Sequence, residues 1–194
     1  MVKLIPIITA GVCQEQLILT AIFRHLVDDG KVRVVNQFHD DAALASAWTF
    51  LLLNPDRPVS VVLETWSEEP ERIREVYDEN RRRIEINVPS SPDRWHLALA
   101  IPDLRAWALV DDHIREEYEK IHQDPETTSD PEEQQRIERS NLRALAARIG
   151  DWTADRPFDL DKLKAKSRQA RELCTFIEES WKPKPVPVTT ADWF

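Results

Sequence analysis

The sequence predicts an open α/β fold, in which a mainly parallel four-stranded sheet is flanked by helices. Short runs rich in β-branched residues alternate with longer segments whose apolar residues recur at helical spacing. The run from Pro58 to Leu63 is almost wholly apolar and ends in the polar cluster Glu64 to Ser67. That pattern is typical of a buried central strand whose carboxyl end opens into a crevice. Functional side chains are therefore expected at Glu64 and Trp66.

Each element follows from its own local pattern. Four strands are predicted, at residues 2–9, 32–38, 58–65 and 95–101. Helices are predicted from Gln14 to a C-capping Gly30, from Asp40 or Asp41 to Asn54, from Ser67 to Arg81–Arg83, and from Pro102 to Ile114. Two further helices are predicted at 131–149 and 159–181, after a polar, exposed loop between His122 and Pro131. The strand and helix order β-α-β-α-β-α-β-α favours helices on both faces of the sheet.

The chain is predicted to consist of three segments that differ in structure. Residues 1–122 are predicted to form the α/β domain, and residues 123–181 a helical extension packed on it. Residues 182–194 form a Pro-rich tail that ends in Trp193-Phe194, which either folds back or docks on a partner.

Composition narrows the class of protein. The 194 residues carry a net charge of −9, which opposes nonspecific binding to a polyanion. Nucleic acid is therefore expected to bind at most through a local patch of the surface. No apolar run reaches the length of a membrane span. The two cysteines, Cys13 and Cys174, lie far apart and are predicted to be reduced thiols of a cytoplasmic protein. The three glycines do not form a phosphate-binding loop.

Three segments, in the right order, resemble the Toprim domain in the small bacterial form related to the OLD nucleases of phage-defence loci. Residues 9–15 (TAGVCQE) occupy the place of that family's first motif, a Glu-Gly pair followed by an acid. Residues 63–67 (LETWS) occupy the place of its Asp-x-Asp motif. Residues 101–111 (IPDLRAWALVD) are similar to its motif Pro-Glu-x-Glu-Ala-Trp-x-x-x-Asp, which is the most specific match. The resemblance covers about residues 3–115.

This chain departs from the family at its acidic positions. Those positions hold Ala10, Gln14, Trp66 and Arg105, whereas Glu64 keeps a carboxylate and Glu15 is displaced by one residue. Toprim chemistry needs several carboxylates around Mg²⁺, because that ion prefers oxygen ligands in octahedral geometry. The resemblance therefore implies a pseudo-nuclease with no catalytic residue and no cofactor. Such a subunit or sensor of an antiviral defence assembly would act through protein contacts, with an ATPase or a nuclease as partner.

Two alternatives remain open. In the first, Glu15, Glu64 and Asp111 form a rearranged Mg²⁺ site of an active nuclease. In the second, the protein is a sensor whose crevice beside Gly11 binds a nucleotide or another small ligand, with Trp66 stacking on a base or similar ring and Arg105 pairing with a phosphate. Candidate partner contacts are Arg81, Arg82, Arg83, Trp193 and Phe194.

Overall fold

A four-stranded parallel sheet forms the centre of the protein, as predicted. The structure is a computed structural model, which describes residues 4–88 and 92–181. The strands are β1 (Ile5–Ala10), β2 (Val32–Gln37), β3 (Val59–Glu64) and β4 (Trp95–Ala100). Their order in the sheet is β2-β1-β3-β4, and all three pairings are parallel. The fold class predicted from the alternation of strands and helices is thus confirmed.

Helices connect and follow the strands. Their bounds are α1 (Gln14–Ile22), α2 (Arg24–Asp28), α3 (Asp40–Leu53), α4 (Pro70–Asn87), α5 (Leu104–Ala108), α6 (Asp112–Glu119), α7 (Pro131–Trp152), α8 (Leu160–Lys166) and α9 (Arg168–Trp181). Short 3-10 turns lie at Pro92–Arg94 and Pro125–Thr127. Within the described ranges, no helix is both long and apolar enough to cross a membrane.

The sheet buries a separate apolar cluster on each face. Because side chains alternate along a strand, Val61 and Leu63 face α3 and α4, whereas Val62 faces α1 and the helices after β4. Leu145 of α7 and Leu173 of α9 belong to the same cluster as Val62. The C-terminal helices therefore pack directly against the α/β core.

Three of the predicted helices are each divided in two. The segment from Gln14 to Gly30 breaks at the buried Phe23, and the one from Pro102 to Ile114 breaks before Asp111. The one at 159–181 breaks at Ser167. Asp111 accepts hydrogen bonds from the backbone N–H groups of His113 and Ile114, and Ser167 Oγ accepts one from Ala170. These side chains start new helices, because an N-cap satisfies backbone donors that a continuous helix would satisfy internally.

The prediction that the third helix ends at Arg81–Arg83 was wrong. Helix α4 continues to Asn87, with Ile84 fully buried against the sheet and Arg81 paired with Glu85 one turn later. Burial of Ile84 keeps the last turns in place. The arginines therefore lie inside a helix rather than at its C-terminus.

Candidate functional site

A crevice lies at the carboxyl edge of the sheet, between the ends of β1 and β3. The chain runs from β1 to β2 on one side and later to β3 on the other, so this is the point where the strand order reverses. Open α/β sheets bind ligands at such points. The cavity has a volume of about 410 Å³ and is lined by Ala10, Gly11, Glu15, Phe38, His39, Asp40, Asp41, Glu64 and Trp66.

Glu64 is the last residue of β3 and forms part of the buried floor of the crevice. Its side chain accepts a hydrogen bond from the backbone N–H of Leu104 at 2.9 Å. Burial raises the pKa of Glu64 to about 8, and the negative charges of Asp103 and Glu15 add to this effect. The Leu104 N–H and the positive charge of Arg105 oppose it. At neutral pH Glu64 is therefore mostly protonated.

Glu15 lies directly over Gly11 in the turn after β1. A Cβ atom built on Gly11 would lie 2.0 Å from Cδ of Glu15, and Gly11 has φ +144°, a conformation that L side chains rarely adopt. Glu15 is only 4% exposed, and its Oε2 has no hydrogen-bond partner among the described residues. Burial also raises the pKa of Glu15. Glycine at position 11 is thus what allows this carboxyl group to reach the crevice.

Trp66 projects from the rim of the crevice. Its backbone is left-handed, with φ +52°, and its N–H donates to the carbonyl oxygen of Pro102 at 2.8 Å. The adjacent Thr65 also donates its N–H to Pro102 and its hydroxyl to the carbonyl oxygen of Ser67. These bonds fix the turn, and the indole is left 64% exposed.

Arg105 lies in a neighbouring cavity rather than in the crevice itself. Its guanidinium contacts Oδ2 of the buried Asp103 at 2.7 and 3.0 Å, and Oδ1 of Asp103 caps α5 at Ala106 N. The neighbouring cavity has a volume of about 250 Å³ and is lined by Trp66, Arg105, Gln135, Glu138, Arg139 and Leu142. Of the three ligand-binding residues predicted from the sequence, Gly11 and Trp66 line the crevice and Arg105 does not. Trp66 lines both cavities and so lies between Arg105 and the crevice.

Asp111 has a structural role. One carboxylate oxygen caps α6, and the other accepts the backbone N–H of Asp159 at 3.0 Å. It does not line the crevice. The structure therefore brings together Glu15 and Glu64 of the alternative metal set, but not Asp111.

The arginine cluster predicted for partner contacts is largely paired. Arg81 contacts Glu85 at 2.8 Å, and Arg83 contacts Asp41 at 2.6 Å, while Arg82 is exposed. The other predicted contacts, Trp193 and Phe194, lie outside the described residues.

Four residues of the crevice were missed from the sequence. Phe38, His39, Asp40 and Asp41 follow β2, and the acids were taken only as helix caps. The cap is in fact His39, whose Nδ1 accepts the N–H of Ala42. The signal that could have found these residues is the pairing of β2 with β1, since neighbouring parallel strands end at the same edge.

The crevice offers a poor donor set for a hard metal ion. Within residues 4–88 and 92–181, no three His, Cys, Asp or Glu side chains are grouped so as to hold one. Glu64 already accepts a backbone N–H, and Asp103 and Asp111 are engaged as helix caps.

Comparisons with protein-family models, with curated proteins and with solved structures gave no match.

Proposed function

We propose that this chain is a non-catalytic, Toprim-like subunit or sensor of a bacterial antiviral defence assembly, which acts in the cytoplasm through protein contacts. The non-catalytic part of the proposal is supported by the structural role of acidic residues in the Toprim-like segments. Asp103 and Asp111, which fall within the most specific Toprim-like segment, cap α5 and α6. The place of the family's second Asp in the central motif is taken by Trp66. The defence assignment rests on the resemblance of residues 3–115.

The residues of the crevice do not fit a resident Mg²⁺ ion. That ion requires several ionised oxygen ligands in near-octahedral geometry. Four acids line the crevice, but among the described residues no three His, Cys, Asp or Glu side chains are grouped so as to hold an ion. Burial favours the protonated form of Glu15 and Glu64 on the floor, and Asp41 at the rim is paired with Arg83. This argues against the rearranged nuclease site, which also needs Asp111.

Exposed apolar side chains support the protein-contact part of the proposal. Leu52 and Leu53 end α3, and Ile86 lies near the end of α4; all three are exposed. The two helices pack on the same face of the sheet. Large apolar side chains exposed on adjacent elements are typical of contact surfaces. An ATPase or nuclease subunit is the proposed partner.

Calorimetric titration with Mg²⁺ and Mn²⁺ and a nuclease assay on DNA and RNA test the non-catalytic part. We expect no saturable metal binding and no cleavage, because the donor set is incomplete. Glu64→Ala and, as a control, Glu179→Ala, an exposed acid of α9, are measured beside the parent. Metal-dependent cleavage that is lost in Glu64→Ala and kept in Glu179→Ala would overturn the proposal.

The partner is tested by affinity capture from the native host, with Leu53→Asp as the variant. Leu17→Asp is the matched control, since Leu17 is an exposed apolar residue on the opposite face of the sheet. The expected result is an ATPase or nuclease subunit captured by the parent and by Leu17→Asp but not by Leu53→Asp. Equal capture by both variants contradicts the assignment of the contact surface to the exposed ends of α3 and α4.

A further inference from the structure

The charge of the crevice is one-sided. Its lining includes four carboxyl groups and one histidine, but neither lysine nor arginine. Glu15 and Glu64 form the buried floor, and Asp40 and Asp41 are exposed at the rim. Arg83 offsets Asp41 through its ion pair, and the N-termini of α1 and α3 each add about half a positive charge. The four carboxyl groups outnumber these contributions, so a phosphate is disfavoured and a cation is favoured once they ionise.

Two aromatic rings stand at the rim. Phe38 follows β2 and is 84% exposed, and Trp66 follows β3 and is 64% exposed. Since β2 and β3 lie on either side of β1, the two residues approach the crevice from opposite sides. Exposed aromatic faces beside carboxylates are the combination that recognises organic cations, because the π face attracts positive charge without needing to donate hydrogen bonds.

The floor of the crevice holds an unused acceptor. Oε2 of Glu15 is buried and has no hydrogen-bond partner among the described residues. A buried acceptor without a partner costs free energy, and a ligand that donates hydrogen bonds removes that cost. Ammonium and guanidinium groups donate several hydrogen bonds and accept none.

We infer that the crevice binds an organic cation, a guanidinium or ammonium group seated on Glu15 and Glu64 between Phe38 and Trp66. The group is supplied either by a small molecule or by an arginine or lysine side chain of the protein partner. The inference goes beyond the proposed function, which assigns no ligand to the crevice, and it does not depend on the Toprim resemblance.

Calorimetric titration of the full chain with methylguanidinium chloride tests the inference, at pH 8.5 and constant ionic strength in a buffer without organic cations. We expect saturable binding that weakens about tenfold in Glu15→Gln, because a charge-assisted hydrogen bond is lost. Trp66→Asn should weaken it about fivefold through loss of the π face, and asparagine tolerates the left-handed backbone. Glu179→Gln, which removes an exposed acid outside the crevice, should leave the affinity unchanged.

The source of the cation is distinguished by a second ligand, the blocked tripeptide Gly-Arg-Gly. Tighter binding of the peptide than of methylguanidinium assigns the site to a partner's side chain, and equal or weaker binding assigns it to a small molecule. Absence of saturable binding of both ligands overturns the inference. So does binding that Glu15→Gln and Glu179→Gln weaken equally, or binding of inorganic phosphate in place of the cation. None of these outcomes depends on the Mg²⁺ titration or the nuclease assay, so the two proposals can fail separately.

Discussion

Replacing Glu64 by glutamine should stabilise the protein, and increasingly so as the pH rises. Burial raises the pKa of this carboxyl group from an ordinary value of 4.5 to about 8. The folded state therefore binds more protons than the unfolded state between these two values, and the free energy of unfolding falls as the pH rises through that window. Below about pH 4.5 the group is protonated in both states and has no such effect.

The size of the effect follows from the pKa. At a pH well above 8, where Glu64 is ionised in both states, its raised pKa lowers the free energy of unfolding by about 5 kcal/mol. About 3 kcal/mol of this stability is already lost at pH 7. Glutamine has the same shape, and its side-chain oxygen can still accept the N–H of Leu104. Glu64→Gln should therefore raise the unfolding free energy by about 1 kcal/mol at pH 5 and about 3 kcal/mol at pH 7. For a chain of this size, 3 kcal/mol corresponds to about 6–12 °C in Tm.

Urea denaturation followed by far-ultraviolet circular dichroism at pH 5, 7 and 9 measures this difference. The free energy of unfolding of the parent is subtracted from that of Glu64→Gln at each pH. This difference cancels the titration of groups that the two proteins share. Glu179→Gln, an exposed acid on α9, serves as the control and should give a small and nearly constant difference. A difference for Glu64→Gln that does not grow with pH would refute the reasoning, because it would mean that Glu64 is ionised in the folded state.

Two further predictions concern neighbouring backbone and caps. Gly11→Ala should destabilise the protein by about 3 kcal/mol, because the new Cβ collides with Glu15 and φ is +144°. Adding Glu15→Ala to the same chain should recover only the part of this loss that is due to the collision. A double-mutant cycle by urea denaturation measures that part. Asp111→Ala should cost about 1–3 kcal/mol in the same assay, because two N–H groups of α6 and that of Asp159 lose their acceptor. The exposed Glu116→Ala on the same helix is its control, and an equal loss there would contradict the capping role.

The sequence was enough to predict the fold and part of the crevice. Alternation between β-branched runs and helical periods gave the parallel sheet, and the polar end of β3 gave Glu64 and Trp66. Both signals are local, since they depend on residues close together in the chain. That is why they survive without knowledge of the sheet order.

The remaining features depend on contacts between distant segments. Asp111 appeared as a candidate metal ligand, but its second oxygen is used by a backbone N–H at Asp159, 48 residues later. Glu15 appeared displaced by one position from the family's acid, yet the turn through Gly11 and Cys13 brings it into the crevice. Asp40 enters the crevice only because β2 pairs with β1. A tertiary contact decides each of these roles, and spacing along the chain does not encode it.

The cost of maintaining the crevice argues that the crevice has a use. Of the four described residues with left-handed φ, three lie in the turns after β1 and β3, namely Gly11, Cys13 and Trp66. Two buried carboxyl groups, at the start of α1 and the end of β3, flank these turns, and their ionisation opposes folding. Strained backbone and desolvated acids each lower stability, and they persist together where the surrounding structure serves a function. A crevice that had lost all function would be expected to relax towards apolar packing, whereas this one keeps its strained turns, its unpartnered acceptor and its exposed indole.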